Sequence, residues 1–85
     1  MEQDPSRQRL FSHPSGHFIL LTKDGAAVHF QVDGQNRVHI LRKLEDVDFK
    51  ATGDGLRADG WRCVGPGIEY QWVLDAPEPP QSPAF

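Results

Sequence analysis

Long apolar runs are missing from this 85-residue chain. No stretch approaches the roughly 20 consecutive apolar residues that a membrane-crossing helix needs, so no membrane partner is expected. Cysteine is nearly missing: Cys63 is the only one, which excludes an internal disulfide framework and any Cys-rich zinc site. Positive charge is scarce relative to negative. Nine Lys and Arg against twelve Asp and Glu give a net charge of −3. Nucleic acid is therefore a disfavoured partner, because phosphate contacts need a cationic surface. At this length the chain holds one small domain.

Proline is almost absent from the middle, where only Pro66 lies between Gly16 and Leu74; glycine is confined to it, with all eight between Gly16 and Gly67. This contrast predicts a flexible N-terminal arm over 1–15, a single β-rich domain over 16–74 and a Pro-rich disordered tail over 75–85. The start, Met1 to Arg9, carries no apolar run of a signal peptide. The expected location is the cytoplasm, where Cys63 stays reduced.

Asp-Gly occurs four times, at Asp24-Gly25, Asp33-Gly34, Asp54-Gly55 and Asp59-Gly60. Between alternating apolar residues this dipeptide marks a tight hairpin turn. A two-residue Asp24-Gly25 loop pairs Leu21 with Val28 and Ile19 with Phe30. A three-residue Lys23-Asp24-Gly25 loop is the alternative, and it flips the first strand against the second. After Asp33 an odd loop, Gly34-Gln35-Asn36, keeps Arg37 and His39 out of the apolar face and sets Asp33 opposite Arg37, since an unpaired buried charge is costly. The inner face then reads Ile19, Leu21, Val28, Phe30, Val32, Val38 and Ile40. Val47-Asp48-Phe49-Lys50-Ala51 alternates like a half-exposed strand, and Trp61-Arg62-Cys63-Val64 pairs with a strand over 68–74, burying Trp61, Cys63, Ile68, Tyr70, Trp72 and Leu74 together.

The predicted fold is all-β: a small antiparallel meander sheet or barrel of five to six short strands. The stretch from Leu41 to Asp46 also fits one turn of helix, which would make the class α+β.

Chemistry-bearing patterns are thin. His29 and His39 share an outward face, but two histidines do not make a zinc site, which takes three or four protein ligands. Asp54 and Asp59 are explained as turn residues, and a calcium loop needs denser oxygen ligands. Cys63 has no local partner that would activate it. No catalytic residue, metal or cofactor is assigned, and the chain is not expected to be an enzyme. Arg57, Trp61, Arg62 and Tyr70 supply an alternative, a stacking platform of a nucleic-acid-binding small β-barrel. The tail motifs Pro77-x-x-Pro80 and Pro80-x-x-Pro83 lack a flanking Arg or Lys, so they read as an inert tail.

The strand Phe18 to Leu21 is apolar on both faces, so one pair of its side chains points away from the first layer. With the two-residue loop, the outer patch comprises Phe18, Leu20, His29, Gln31, His39 and Leu41, with Arg37 beside it. Such a mixed apolar and polar sheet face suits a protein–protein contact. The expected function is a small non-enzymatic protein-binding module (a regulator, inhibitor or accessory protein) that docks on a protein partner or on a second copy of itself as a homodimer. Phe18, Leu20 and Leu41 are the apolar anchors, and His29, Gln31, Arg37 and His39 the polar contacts.

Overall fold

A computed structural model describes residues 7–76 of the chain. The Pro-x-x-Pro motifs at 77–83 lie outside the described residues. Five strands form one sheet: β1 (Gln8–Ser12), β2 (His17–Thr22), β3 (Ala27–Val32), β4 (Val38–Leu44) and β5 (Arg62–Gly65). Between β4 and β5 runs α1 (Phe49–Ala58), and after β5 comes a 3-10 helix (Ile68–Leu74). The strand order is β4-β3-β2-β1-β5 with every pair antiparallel. The fold is thus the expected small antiparallel sheet, with some α+β character, and the sheet stays open instead of closing into a barrel. The α-helix lies at 49–58, not at 41–46, where β4 continues to Leu44. Among the described residues no helix is long and apolar enough to cross a membrane.

The first hairpin uses the three-residue loop. Thr22 N–H donates to the Ala26 carbonyl at 2.9 Å, and Ala26 N–H donates to Thr22 Oγ1 at 3.2 Å. This clamp pairs Leu21 with Ala27, Leu20 with Val28 and Phe18 with Phe30. The two-residue register is therefore overturned, and with it the single inner face: Phe18 and Leu20 join Val28 and Phe30, while Ile19 and Leu21 point to the opposite side. The second hairpin matches its expectation. Asn36 takes a φ of 62°, Asp33 N–H donates to the Arg37 carbonyl at 3.0 Å, and Asp33 Oδ1 accepts from the N–H groups of Gln35 and Arg37. Further along, the β3–β4 register shifts: Phe30 pairs with Ile40, but His29 pairs with Arg42. Leu41 is the extra residue of a β-bulge. The bulge turns Lys43 toward the side of the 3-10 helix, where its Nζ donates to the carbonyls of Leu74 and Ala76 at 3.0 and 2.6 Å.

Both sheet faces are covered, and this explains the adjacent apolar pairs. On one face Leu10, Leu20, Val28 and Phe30 pack with Val73 of the 3-10 helix, flanked by Phe18, Val32, Val38, Ile40, Tyr70 and Leu74. On the other, Phe11, Leu21 and Ala27 pack with Ile19, Val47, Phe49, Leu56 and Trp61. Leu10 and Phe11 therefore bury opposite sides of β1, as Leu20 and Leu21 do for β2. Residues 8–12 form an interior strand, so the folded unit starts before the expected boundary at residue 16.

Residues 47–51 do not continue as a strand. Asp48 Oδ1 accepts the Ala51 N–H at 2.8 Å and caps α1. Phe49, Gly53 and Leu56 then recur at helical spacing and turn toward the sheet. Gly53 is buried against Phe11 and Leu21, and a Cβ there would lie 3.5 Å from Phe11 Cζ, an ordinary packing distance. Residues 68–74 also abandon strand geometry. With a three-residue period, Tyr70 and Val73 face the sheet, while Trp72 is 52% exposed. Cys63 is exposed, and the expected cluster of Trp61, Cys63, Ile68, Tyr70, Trp72 and Leu74 does not form.

Candidate functional site

The two covering elements differ in reach. The 3-10 helix lies across one face through Tyr70 and Val73. On the other face, α1 packs on β2 and β5 and over Phe11 of β1. The part of that face formed by β3 and β4 carries His29 and Gln31 opposite Arg42 and His39. His29 and Gln31 are half-buried; His39 and Arg42 are exposed. Leu44, opposite Ala27, is exposed on the same face, and the bulge residue Leu41 is 42% exposed.

Histidines gather where this area meets the covered half. His17 Nδ1 and His29 Nε2 lie 2.8 Å apart across β2 and β3. The Trp61 ring packs at 5.1 Å from the His13 ring and 6.0 Å from the His29 ring. An imidazole pair at this distance needs one N–H and one lone pair, so it tolerates one added proton but not two. Burial, and secondly the neighbouring His17, hold the His29 imidazole below the usual histidine range. One strand further, His39 Nε2 lies 2.8 Å from Asp33 Oδ2. That hydrogen bond, followed by those from the Arg37 and Gln35 N–H groups, keeps the Asp33 carboxyl below the usual carboxylate range.

Of the seven residues expected to bind a partner, the structure brings His29, Gln31 and His39 onto one face, as the alternation predicted. Arg37 is exposed at the base of the adjoining hairpin, and Leu41 sits at the bulge. Phe18 and Leu20 are corrections. Leu20 is fully buried on the opposite face, and Phe18 stacks against Phe30 at 5.5 Å. They are core side chains, because the three-residue loop reverses the facing of β2. Their places are taken by His17, Arg42, Leu44 and Trp61. His17 follows from the alternative loop register, but nothing in the sequence marks the bulge that brings Arg42 opposite His29.

The alternative stacking platform is not assembled. Tyr70 packs against Phe18 and Phe30 on one side of the sheet. Arg57 lies over Phe11, and Trp61 packs beside His29, on the other. Among the described residues no group of three or more His, Cys, Asp or Glu is placed to hold a metal ion. Comparison of the chain with protein-family models, with curated proteins and with solved structures finds no match.

The lowered His29 pKa fixes the sign of one pH effect. The unfolded chain binds the His29 proton more readily than the folded one, so stability is full above the unfolded value. It is lost as the pH falls below about 6.5. Urea midpoints at pH 7.5 and 5.5 are expected to fall with acidity, and to fall less in His29→Gln. An equal drop in both proteins would remove His29 as the cause.

Proposed function

We propose that this chain is a non-enzymatic protein-binding module that docks through the part of its helix-side face formed by β3 and β4. The observation that carries this reading is the unequal coverage of the two faces: α1 packs mainly on β2 and β5, leaving half-buried His29 and Gln31 and exposed His39, Leu41, Arg42 and Leu44 on the β3–β4 part of the sheet. Interfaces of this kind combine apolar contact with a few oriented polar groups and need no catalytic machinery. β4 is also an edge strand, so its outer backbone groups adjoin the same surface and favour a partner that reaches over the edge. The action is occlusion: the module covers a surface of a partner protein, or of a second copy, in a reducing cytoplasm. Protonating His29 sets a charge on the half-buried part of this face, so docking weakens as the pH falls below the usual histidine range.

A photo-crosslinker at Gln35, beside this face, gives the test in the native host. A defined adduct is expected, and Leu41→Asp with Arg42→Glu should reduce its yield at least about tenfold, as for loss of a central contact. Val64→Asp, on the exposed part of β5, should leave the yield unchanged. Circular dichroism checks that all variants fold. An adduct indifferent to the Leu41 and Arg42 changes, or lost with Val64→Asp, would sink the proposal. Sedimentation of the purified chain separates a second copy from a foreign partner.

A further inference from the structure

On the other flank of α1, away from the histidines, the sheet and the helix enclose an open pocket of about 420 Å³. Its walls carry four cations, Arg9, Lys23, Lys50 and Arg57, and a single carboxylate, Asp54. The floor is aromatic. The Arg9 guanidinium lies 5.6 Å from the Phe49 ring centre and the Lys23 ammonium 5.7 Å from the same ring, while the Arg57 guanidinium lies 5.6 Å over Phe11. Three elements distant in sequence thus bring like charges to one place, in a chain whose net charge is −3. Among the described residues the carboxylate contacts of this set amount to one, Arg57 to Asp54 at a loose 3.8 Å. Convergent cations repel one another, and the faces of Phe49 and Phe11 offset this only in part.

From this we infer a binding site for a small phosphorylated ligand carrying at least two negative charges. Charge count decides between anions: one carboxylate leaves most of the excess unmatched, whereas a diphosphate group matches three cations. The two guanidiniums offer forked donors suited to phosphoryl oxygens, and the two lysines supply point charges at the rim. A nucleic-acid strand is the poorer fit. Phe11 is fully buried and Phe49 is already capped by Arg9 and Lys23, so neither ring is free to stack on a base.

The test is an amide-resonance titration of the full chain with pyrophosphate at constant ionic strength. Saturable shifts confined to residues around Arg9, Lys23 and 49–57 are expected. The double variant Arg9→Glu, Lys50→Glu should weaken the affinity at least about tenfold. Arg62→Glu, a surface cation outside the pocket, should leave it unchanged. A thymidine oligonucleotide of equal or greater charge should bind no tighter than pyrophosphate. Absence of saturable shifts, shifts spread over all surface cations, equal weakening by Arg62→Glu, or far tighter oligonucleotide binding would each overturn the inference.

Discussion

Phe30→Ala is expected to leave most of the protein unfolded at 25 °C. Phe30 is fully buried, stacks on Phe18 and meets the Tyr70 ring at 5.1 Å, in the cluster formed by Leu10, Leu20, Val28 and Val73. Truncating a core Phe to Ala costs about 3–5 kcal/mol, the sum of lost transfer energy and the cavity left behind. A single core of this size supplies roughly 3–5 kcal/mol in total, so the substitution consumes nearly all of it. A thermal melt should lose its cooperative transition or shift far down. A variant melting within a few degrees of the parent would show that this face of the sheet is not the main core.

Gly67→Ala should be almost as damaging, for a different reason. Gly67 has φ 68° and ψ 35°, the left-handed conformation that reverses the chain after β5 and lays the 3-10 helix on the sheet. An L side chain there costs about 1–2 kcal/mol. A Cβ would also stand 2.7 Å from Leu10 Cβ and 3.2 Å from Leu20 Cδ1. The nearer atom is fixed to the backbone of an interior strand and has no rotamer by which to escape, so relief costs roughly 1–3 kcal/mol more. The expected result is a sharply lowered urea midpoint, with hydrogen-exchange protection lost first at residues 68–74. Gly67→Asn separates the two causes. Asn tolerates left-handed backbone yet keeps the Cβ, so it should stay strongly destabilised; an Asn variant as stable as the parent would refute the clash.

Hairpin chemistry was legible in the chain wherever it was local. Asp33, with Asn36 free to go left-handed and a penalty on burying Arg37, was enough to set the second loop and the pairing of Gln31 with His39. The first loop was not decidable by the same means. Its two registers exchange the faces of β2, and Phe18, Ile19, Leu20 and Leu21 are apolar throughout, so either choice buries two of them. The helix was hidden by its own composition. Gly53, Asp54 and Gly55 read as a turn, and each of the two glycines costs a helix about 1 kcal/mol relative to alanine. Packing of Phe49, Gly53 and Leu56 on Phe11 and Leu21 is what makes that segment helical.

The candidate face divided along the same line. His29, Gln31 and His39 follow from period-two alternation within β3 and β4, which is a property of neighbouring residues. Leu20 and Phe18 left that face, and His17, Arg42 and Trp61 joined it, through events that involve distant partners: a loop clamped by Thr22, a bulge at Leu41, and a helix that covers one half of the sheet.

By itself, then, the amino-acid order determined an antiparallel β-rich chain, the turn after Asp33 and the shared face of His29 and His39, because alternation and turn chemistry act over a few residues. Only the tertiary structure decided that the sheet is open, buried on both faces and covered unequally. Burial energy depends on which segments meet, and segments 8–12, 49–58 and 68–74 take their shape from the surface they cover.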